Sequence, residues 1–174
     1  MKTWVALFRG INVGGRNLLP MKELVSIMED CGHSDIKTYI QSGNVVFDGD
    51  SVSASEIAKQ VEQQKGFCPE VLILESPEFE LALKKNPFKT AEGKACHFFF
   101  SLEHPGSVDE ERLNQLKSAT EEFVLEDKVF YLHAPEGIGR SKLASNVERC
   151  LGVPGTGRNL NTVNKLAEIL SSRS

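Results

Sequence analysis

The sequence predicts an α+β fold of two ferredoxin-like (split βαβ) subdomains, residues 1–76 and 77–174. Three observations predict it. Short apolar runs rich in β-branched and aromatic residues alternate with stripes of helical period. Two capping boxes, Ser53 to Glu56 and Ser107 to Glu110, open helices at comparable places in the two halves. The order β-α-β-β-α then recurs, with a C-terminal helix standing where the second copy would need its last strand.

Each element has a local reason. Residues 3–9 are apolar enough for a central strand, and a glycine-rich loop follows. Met21, Leu24, Val25, Met28 and Cys31 fall on one face of a helix from Pro20 to Cys31; proline suits its first turn and Gly32 its end. "IKTYIQSGNVVF" (Ile36–Phe47) reads as two strands turning at Ser42-Gly43. The first capping box starts a helix through Gln64, and "EVLILE" (Glu70–Glu75) is a strand. Ser76-Pro77 opens a short helix that stops near Asn86-Pro87, and "ACHFFFSL" (Ala95–Leu102) is the next strand. The second capping box opens a helix, "EFVLEDKVFYLH" (Glu122–His133) is a hairpin turning at Asp127-Lys128, and helices follow over 141–151 and 160–171.

Topology then predicts a meeting. In a split βαβ sheet the ends of strands one and two and the start of strand three share one edge. The loop after Arg9 and the "QSGN" turn, Gln41 to Asn44, should therefore touch.

Composition narrows the class of function. With 40% hydrophobic and 25% charged residues the chain is of ordinary globular type. No apolar run approaches a membrane span, so no membrane partner is expected. The four cysteines lie far apart without a C-x-x-C pair, which favours reduced thiols and a cytoplasmic setting over disulfides or zinc. The net charge of −4 divides as +3 over residues 1–17, −10 over 18–135 and +3 over 136–174. An acidic body argues against wholesale nucleic-acid coating, while two basic ends leave room for a local anion site.

"FRGINVGGRNLLPM" (Phe8–Met21) comes close to a phosphate loop. Gly10 and Gly15 have the right spacing, but Arg16-Asn17 stand where Lys and Ser/Thr belong, and the helix starts too late. The Rossmann glycine spacing is also absent. Two readings stay open: an anion nest of backbone N–H groups with Arg9 or Arg16 beside it, or glycines that merely permit left-handed backbone. "GIGRSKL" (Gly137–Leu143) sets Arg140 and Lys142 around Ser141, a good helix cap. Cations at a helix start oppose its dipole unless an anion sits there. "TGRNLNTVN" (Thr156–Asn164) places Arg158 before another predicted helix start, with Asn159, Asn161 or Thr162 as caps. Tyr39 and Gln41 share a strand face beside the first loop. Ser141 and Lys142 are adjacent on a helix and do not face one another as a nucleophile–base pair. His97 and His133 are possible sheet-surface neighbours, and no third metal ligand follows by spacing.

"RGINVGGRN", "MKEL", "TYIQSGNVVF", "GIGRSKL" and "TGRNLNTVNKL" together resemble the bacterial family named domain of unknown function 1697. The resemblance implies a cytoplasmic protein of two ferredoxin-like α+β subdomains, and no established activity. Its polar motif positions fall on Arg9, Asn12, Gly14, Gly15, Asn17, Tyr39, Gln41, Ser42, Gly43 and Asn44. They continue on Ser141, Lys142, Thr156, Arg158, Asn159, Asn161 and Thr162.

The leading expectation is a site for a phosphate-bearing ligand, a nucleotide or a nucleic-acid segment. Its residues would be Arg9, Asn12, Gly14, Gly15, Arg16, Asn17, Tyr39, Gln41, Ser42, Asn44, Ser141, Lys142, Arg158, Asn159 and Asn161. Neither metal nor cofactor is expected. The alternatives are a structural or protein-interaction module whose motifs are caps and turns, and an enzyme acting on a phosphorylated small molecule.

Overall fold

In the computed structural model, which describes residues 1–173, the chain forms two compact units. One comprises Met1–Leu81 together with the stretch from Asn164 onward, the other Ala82–Val163.

The first unit runs β1 (Lys2–Arg9), α1 (Met21–Asp30), β2 (Ser34–Tyr39), β3 (Asn44–Gly49), α2 (Ala54–Lys65) and β4 (Glu70–Glu75), and leads into α3 (Ser76–Lys84). Its sheet has the order β2-β3-β1-β4, antiparallel throughout. This is the split βαβ arrangement, with β1 and β2 parallel on either side of β3. On one face Ala6, Phe8, Val45, Phe47 and Val71 pack against Leu24, Ile27 and Met28 of α1 and Ile57 and Val61 of α2. Val5, Leu7, Val46, Leu72 and Leu74 on the other face are buried as well. Burial on both faces explains why the β1 sequence barely alternates.

Of the capping box predicted for α2, Ser53 acts as expected. Ser53 accepts from the Glu56 N–H at 3.3 Å, and Gly66 closes the helix in left-handed conformation. Farther along the chain, Arg173 joins this unit by ion pairs. Its Nη2 lies 2.9 Å from Asp48 and 3.1 Å from Asp35, and Asp48 also accepts from the Thr3 hydroxyl at 2.7 Å.

The second unit contains β5 (Cys96–Ser101), α4 (Glu110–Leu116), β6 (Glu122–Glu126), β7 (Val129–His133), α5 (Val147–Leu151) and β8 (Gly155–Asn159), followed by α6 (Leu160–Ser171). The sheet order is β6-β7-β5-β8, again antiparallel. The C-terminal helix stands as predicted, but it follows a last strand instead of replacing one. The sequence conceals β8 because "GTGRN" has no apolar residue and two glycines. Gly155 is needed there, since a Cβ would sit 2.5 Å from the Phe100 carbonyl oxygen. The fourth strand completes the second β-α-β-β-α-β, so both halves share one topology and each leads directly into a helix.

Two helix starts differ in detail. Asp109, not Ser107, caps α4 by accepting from the Arg112 N–H at 3.0 Å. The helix expected over 141–151 is a short 3-10 turn at Ala144–Asn146 followed by α5. The core of this unit gathers Leu113, Phe130, Leu132, Leu143, Val147 and Leu151 on one sheet face. On the other face Phe98 meets Tyr131 edge-on at 4.9 Å, and the Tyr131 hydroxyl donates to the Ala82 carbonyl at 2.6 Å. Burial, then the charges of Glu126 and Cys96, push that phenol up to about 12.

The Arg173–Asp48 pair is a test of the first unit. Burial alone would raise the Asp48 pKa, but the Arg173 guanidinium and the Thr3 hydroxyl outweigh it and hold the carboxyl below its usual 3.8. The stability it contributes is thus present above that value and is lost as pH falls through the lower folded value. Asp48→Asn should cost about 1–3 kcal/mol at neutral pH. In thermal melts from pH 7 downward, the gap to the wild type should close only in the acid range.

Candidate functional site

The edge meeting predicted from topology is present within the first unit. The Phe8 N–H donates to the Gly43 carbonyl at 2.8 Å. Asn12 makes the larger connection: its Nδ2 donates to the Leu19 carbonyl at 2.9 Å and to the Gln41 carbonyl at 2.8 Å, while its Oδ1 accepts from the Leu19 N–H at 2.7 Å. Asn17 Nδ2 donates to the Gly10 carbonyl at 3.0 Å, and its own carbonyl accepts from the Asn12 N–H at 3.0 Å. Asn44, fully buried, donates from Nδ2 to the Tyr39 carbonyl at 2.9 Å and to Ser42 Oγ at 3.0 Å.

The asparagine amides of the two motifs therefore serve the backbone of the loop and turn themselves. Asn12 and Asn17 sit at positive φ, as do Gly10, Gly14 and Gly15. Such a loop is held by side-chain brackets in place of regular ladders. Arg9 pairs with Glu70 at 3.1 Å, whereas Arg16, Gly14, Gly15 and Gln41 are exposed.

In the second unit the "GIGRSK" segment borders a depression of about 750 Å³, with Ser118, Glu121, Glu136, Arg140, Ser141 and Lys142 among its walls. Two tight turns shape the segment: the Gly137 N–H donates to Ala134 and the Ser141 N–H to Ile138. Ser141 caps as predicted, accepting from the Ala144 N–H at 3.0 Å. Its hydroxyl donates to Glu121 Oε2 at 2.5 Å, and Glu121 Oε1 accepts from the Ser118 N–H at 2.9 Å. Glu121, only 5% exposed, thus ties the 118–121 turn to the 137–142 segment. Arg140 and Lys142 are exposed on either side, and among the described residues neither has a carboxylate partner. Sequence reasoning missed Glu121, because in "ATEEF" it looks like one of two solvated turn carboxylates. No signal ties it to a serine twenty residues later.

The third motif folds differently from the expectation. Arg158 lies two residues ahead of α6, as expected, but it is also a strand residue of β8, opposite Phe98. It is 9% exposed, with Nη1 donating to Thr156 Oγ1 at 2.7 Å and to the Gly157 carbonyl at 2.9 Å. Burial pushes its pKa down to about 10, still well above neutrality. Asn159 accepts from the Thr162 N–H at 3.0 Å and so caps α6, while Asn161 packs against Gly93. His97 is opposite Leu132 and His133 opposite Cys96, so strand alternation sends the two rings to opposite faces. The suggested histidine pair is therefore absent. No cluster of three or more potential metal ligands exists among the described residues.

Residues 1–131 match the model of the family described as protein of unknown function (DUF1697), and the chain belongs to that family. A similar solved structure is that of the conserved bacterial protein SP0830 from Streptococcus pneumoniae. It shares 23% identity and a TM-score of 0.67, over 97% of this chain and 98% of that one. At that identity the likeness shows the fold. No curated protein matches.

The loop geometry separates two glycines of like conformation. A Cβ on Gly43 (φ +89°) would lie 2.7 Å from both Ile11 and Phe8, whereas Gly14 (φ +57°) has open space around it. Gly14→Ala should cost about 1 kcal/mol through backbone strain alone. Gly43→Ala should cost clearly more, about 2–4 kcal/mol. Asn12→Ala, which strips partners from two carbonyls and one N–H, should cost about 2–3 kcal/mol. Equilibrium urea unfolding of the three variants checks the ranking.

Proposed function

We propose that this DUF1697 protein binds a phosphate-bearing small molecule, of nucleotide type, in the depression beside Gly137–Lys142. One observation carries the reading: Arg140 and Lys142, with no carboxylate partner among the described residues, border one depression on either side of Ser141. Cations without internal partners gain most from an external anion, and charge-assisted hydrogen bonds to phosphate are among the stronger polar contacts. The depression is of the size that small-molecule sites commonly have. Glu121 gives rigidity: by holding the Ser141 hydroxyl and the Ser118 N–H it fixes the wall between the two cations before any ligand arrives. Pre-set walls lower the entropy cost of binding. The 9–17 loop and the 41–44 turn have no part in this reading, because the amides of Asn12, Asn17 and Asn44 are engaged within them.

Titration calorimetry with pyrophosphate and with nucleoside mono- and diphosphates tests it. Binding should weaken with added salt, and Arg140→Ala or Lys142→Ala should each lose about tenfold or more in affinity. No heat at millimolar ligand, or undiminished binding by the double variant, would refute the reading.

A further inference from the structure

The first unit presents a separate surface that serves neither its core nor the depression of the second. Three large aliphatic side chains project from the loop edge: Val13 is 64% exposed, Leu18 58% and Ile40 50%. Single exposed aliphatics are ordinary, but each of these three is next in sequence to a residue of one hydrogen-bonded knot. Val13 follows Asn12, Leu18 precedes Leu19, and Ile40 precedes Gln41; the Asn12 amide ties those three backbones together. The Asn12 and Asn17 brackets hold the backbone that carries Val13 and Leu18.

Ile40 carries the clearest mark. It has a φ of +52°, a conformation unfavourable for a β-branched residue and easy for Asn or Gly. Its backbone shapes the β2–β3 turn, where its carbonyl accepts from the Gly43 N–H at 3.5 Å, but that turn would be made more easily by Asn or Gly, and the aliphatic side chain stands half in solvent. The charge of the neighbouring loop's own sequence is one-sided. From Met1 to Lys22 the sequence has no acidic residue, and Arg16 and Lys22 are exposed without ion pairs among the described residues.

We propose that this edge docks on an anionic lipid surface, Val13, Leu18 and Ile40 entering the headgroup–acyl boundary and Arg16 and Lys22 meeting lipid phosphates. Hydrocarbon needs only aliphatic area from its partner, and anionic headgroups reward nearby cations. Stacking on nucleic-acid bases calls for aromatic side chains, and protein hot spots favour tryptophan and tyrosine; the three projecting residues are all aliphatic. That no helix among the described residues is long and apolar enough to cross a membrane concerns spanning, not lying upon one.

Vesicle flotation tests it, with mixed phosphatidylglycerol–phosphatidylcholine vesicles against phosphatidylcholine alone. The wild type should float with the anionic vesicles, less so as salt rises. Arg16→Glu should weaken binding by about fivefold or more. The triple variant Val13→Ser, Leu18→Ser, Ile40→Asn should weaken it by at least about tenfold. Ile40→Asn alone discriminates best: it removes backbone strain, so its melting temperature should hold or rise while vesicle binding falls. The proposal is overturned by a wild type that ignores anionic vesicles, or by a triple variant that binds them equally. It is also overturned if gel filtration shows a dimer that the triple variant dissolves, or if a single-stranded oligonucleotide binds at these residues in preference to lipid.

Discussion

Every connection in a split βαβ sheet must bring its backbone N–H and C=O groups to some partner, and the long β1–α1 connection has only one isolated bridge, between Val13 and Arg16, to supply them. The amide of Asn12 does so. With one donor nitrogen and one acceptor oxygen it meets Leu19 from both sides and reaches across to Gln41, while Asn17 closes the base of the loop on Gly10. The rest of the first unit depends on that closure. Leu19 is delivered to the core just ahead of α1, and Ile11 lies against Phe8 and the space beneath Gly43. The exposed aliphatic patch is the outer side of the same bracket.

The second unit solves the corresponding problem with a carboxylate. Glu121 holds the 118–121 turn and the Ser141 segment together, as Asn12 holds loop and turn in the first. The physical consequences differ. An amide leaves a neutral, closed knot; a carboxylate brings a charge into a wall that two cations flank, and the wall stays open to solvent on one side.

The strands and helices with apolar periodicity were legible in the sequence: β4 and α6 fall on their predicted residues, and the β6–β7 hairpin turns where expected. So was the meeting of the first loop with "QSGN", which follows from topology once β1, β2 and β3 are assigned. The strand β8 was not legible, because its pairing rests on backbone contact at Gly155 and on neighbours in β5, neither of which leaves an apolar pattern. The sites divide along the same line. That Ser141 caps a turn and Asn159 caps a helix could be read locally. That the asparagines at 12, 17 and 44 look inward could not, since an amide that braces a loop and one that waits for a ligand have the same letter. The Ser141–Glu121 bond depends on two segments that only the folded sheet brings together.

The ion pairs of Arg173 with Asp35 and Asp48 have a consequence for how the molecule is made. The ribosome delivers β2 and β3 early and Arg173 only after the whole of the second unit has emerged. The first unit can build its ladder and core during synthesis, yet two of its carboxylates stay without their guanidinium throughout that interval. Until Arg173 emerges, Asp35 and Asp48 lack the partner that offsets their mutual repulsion.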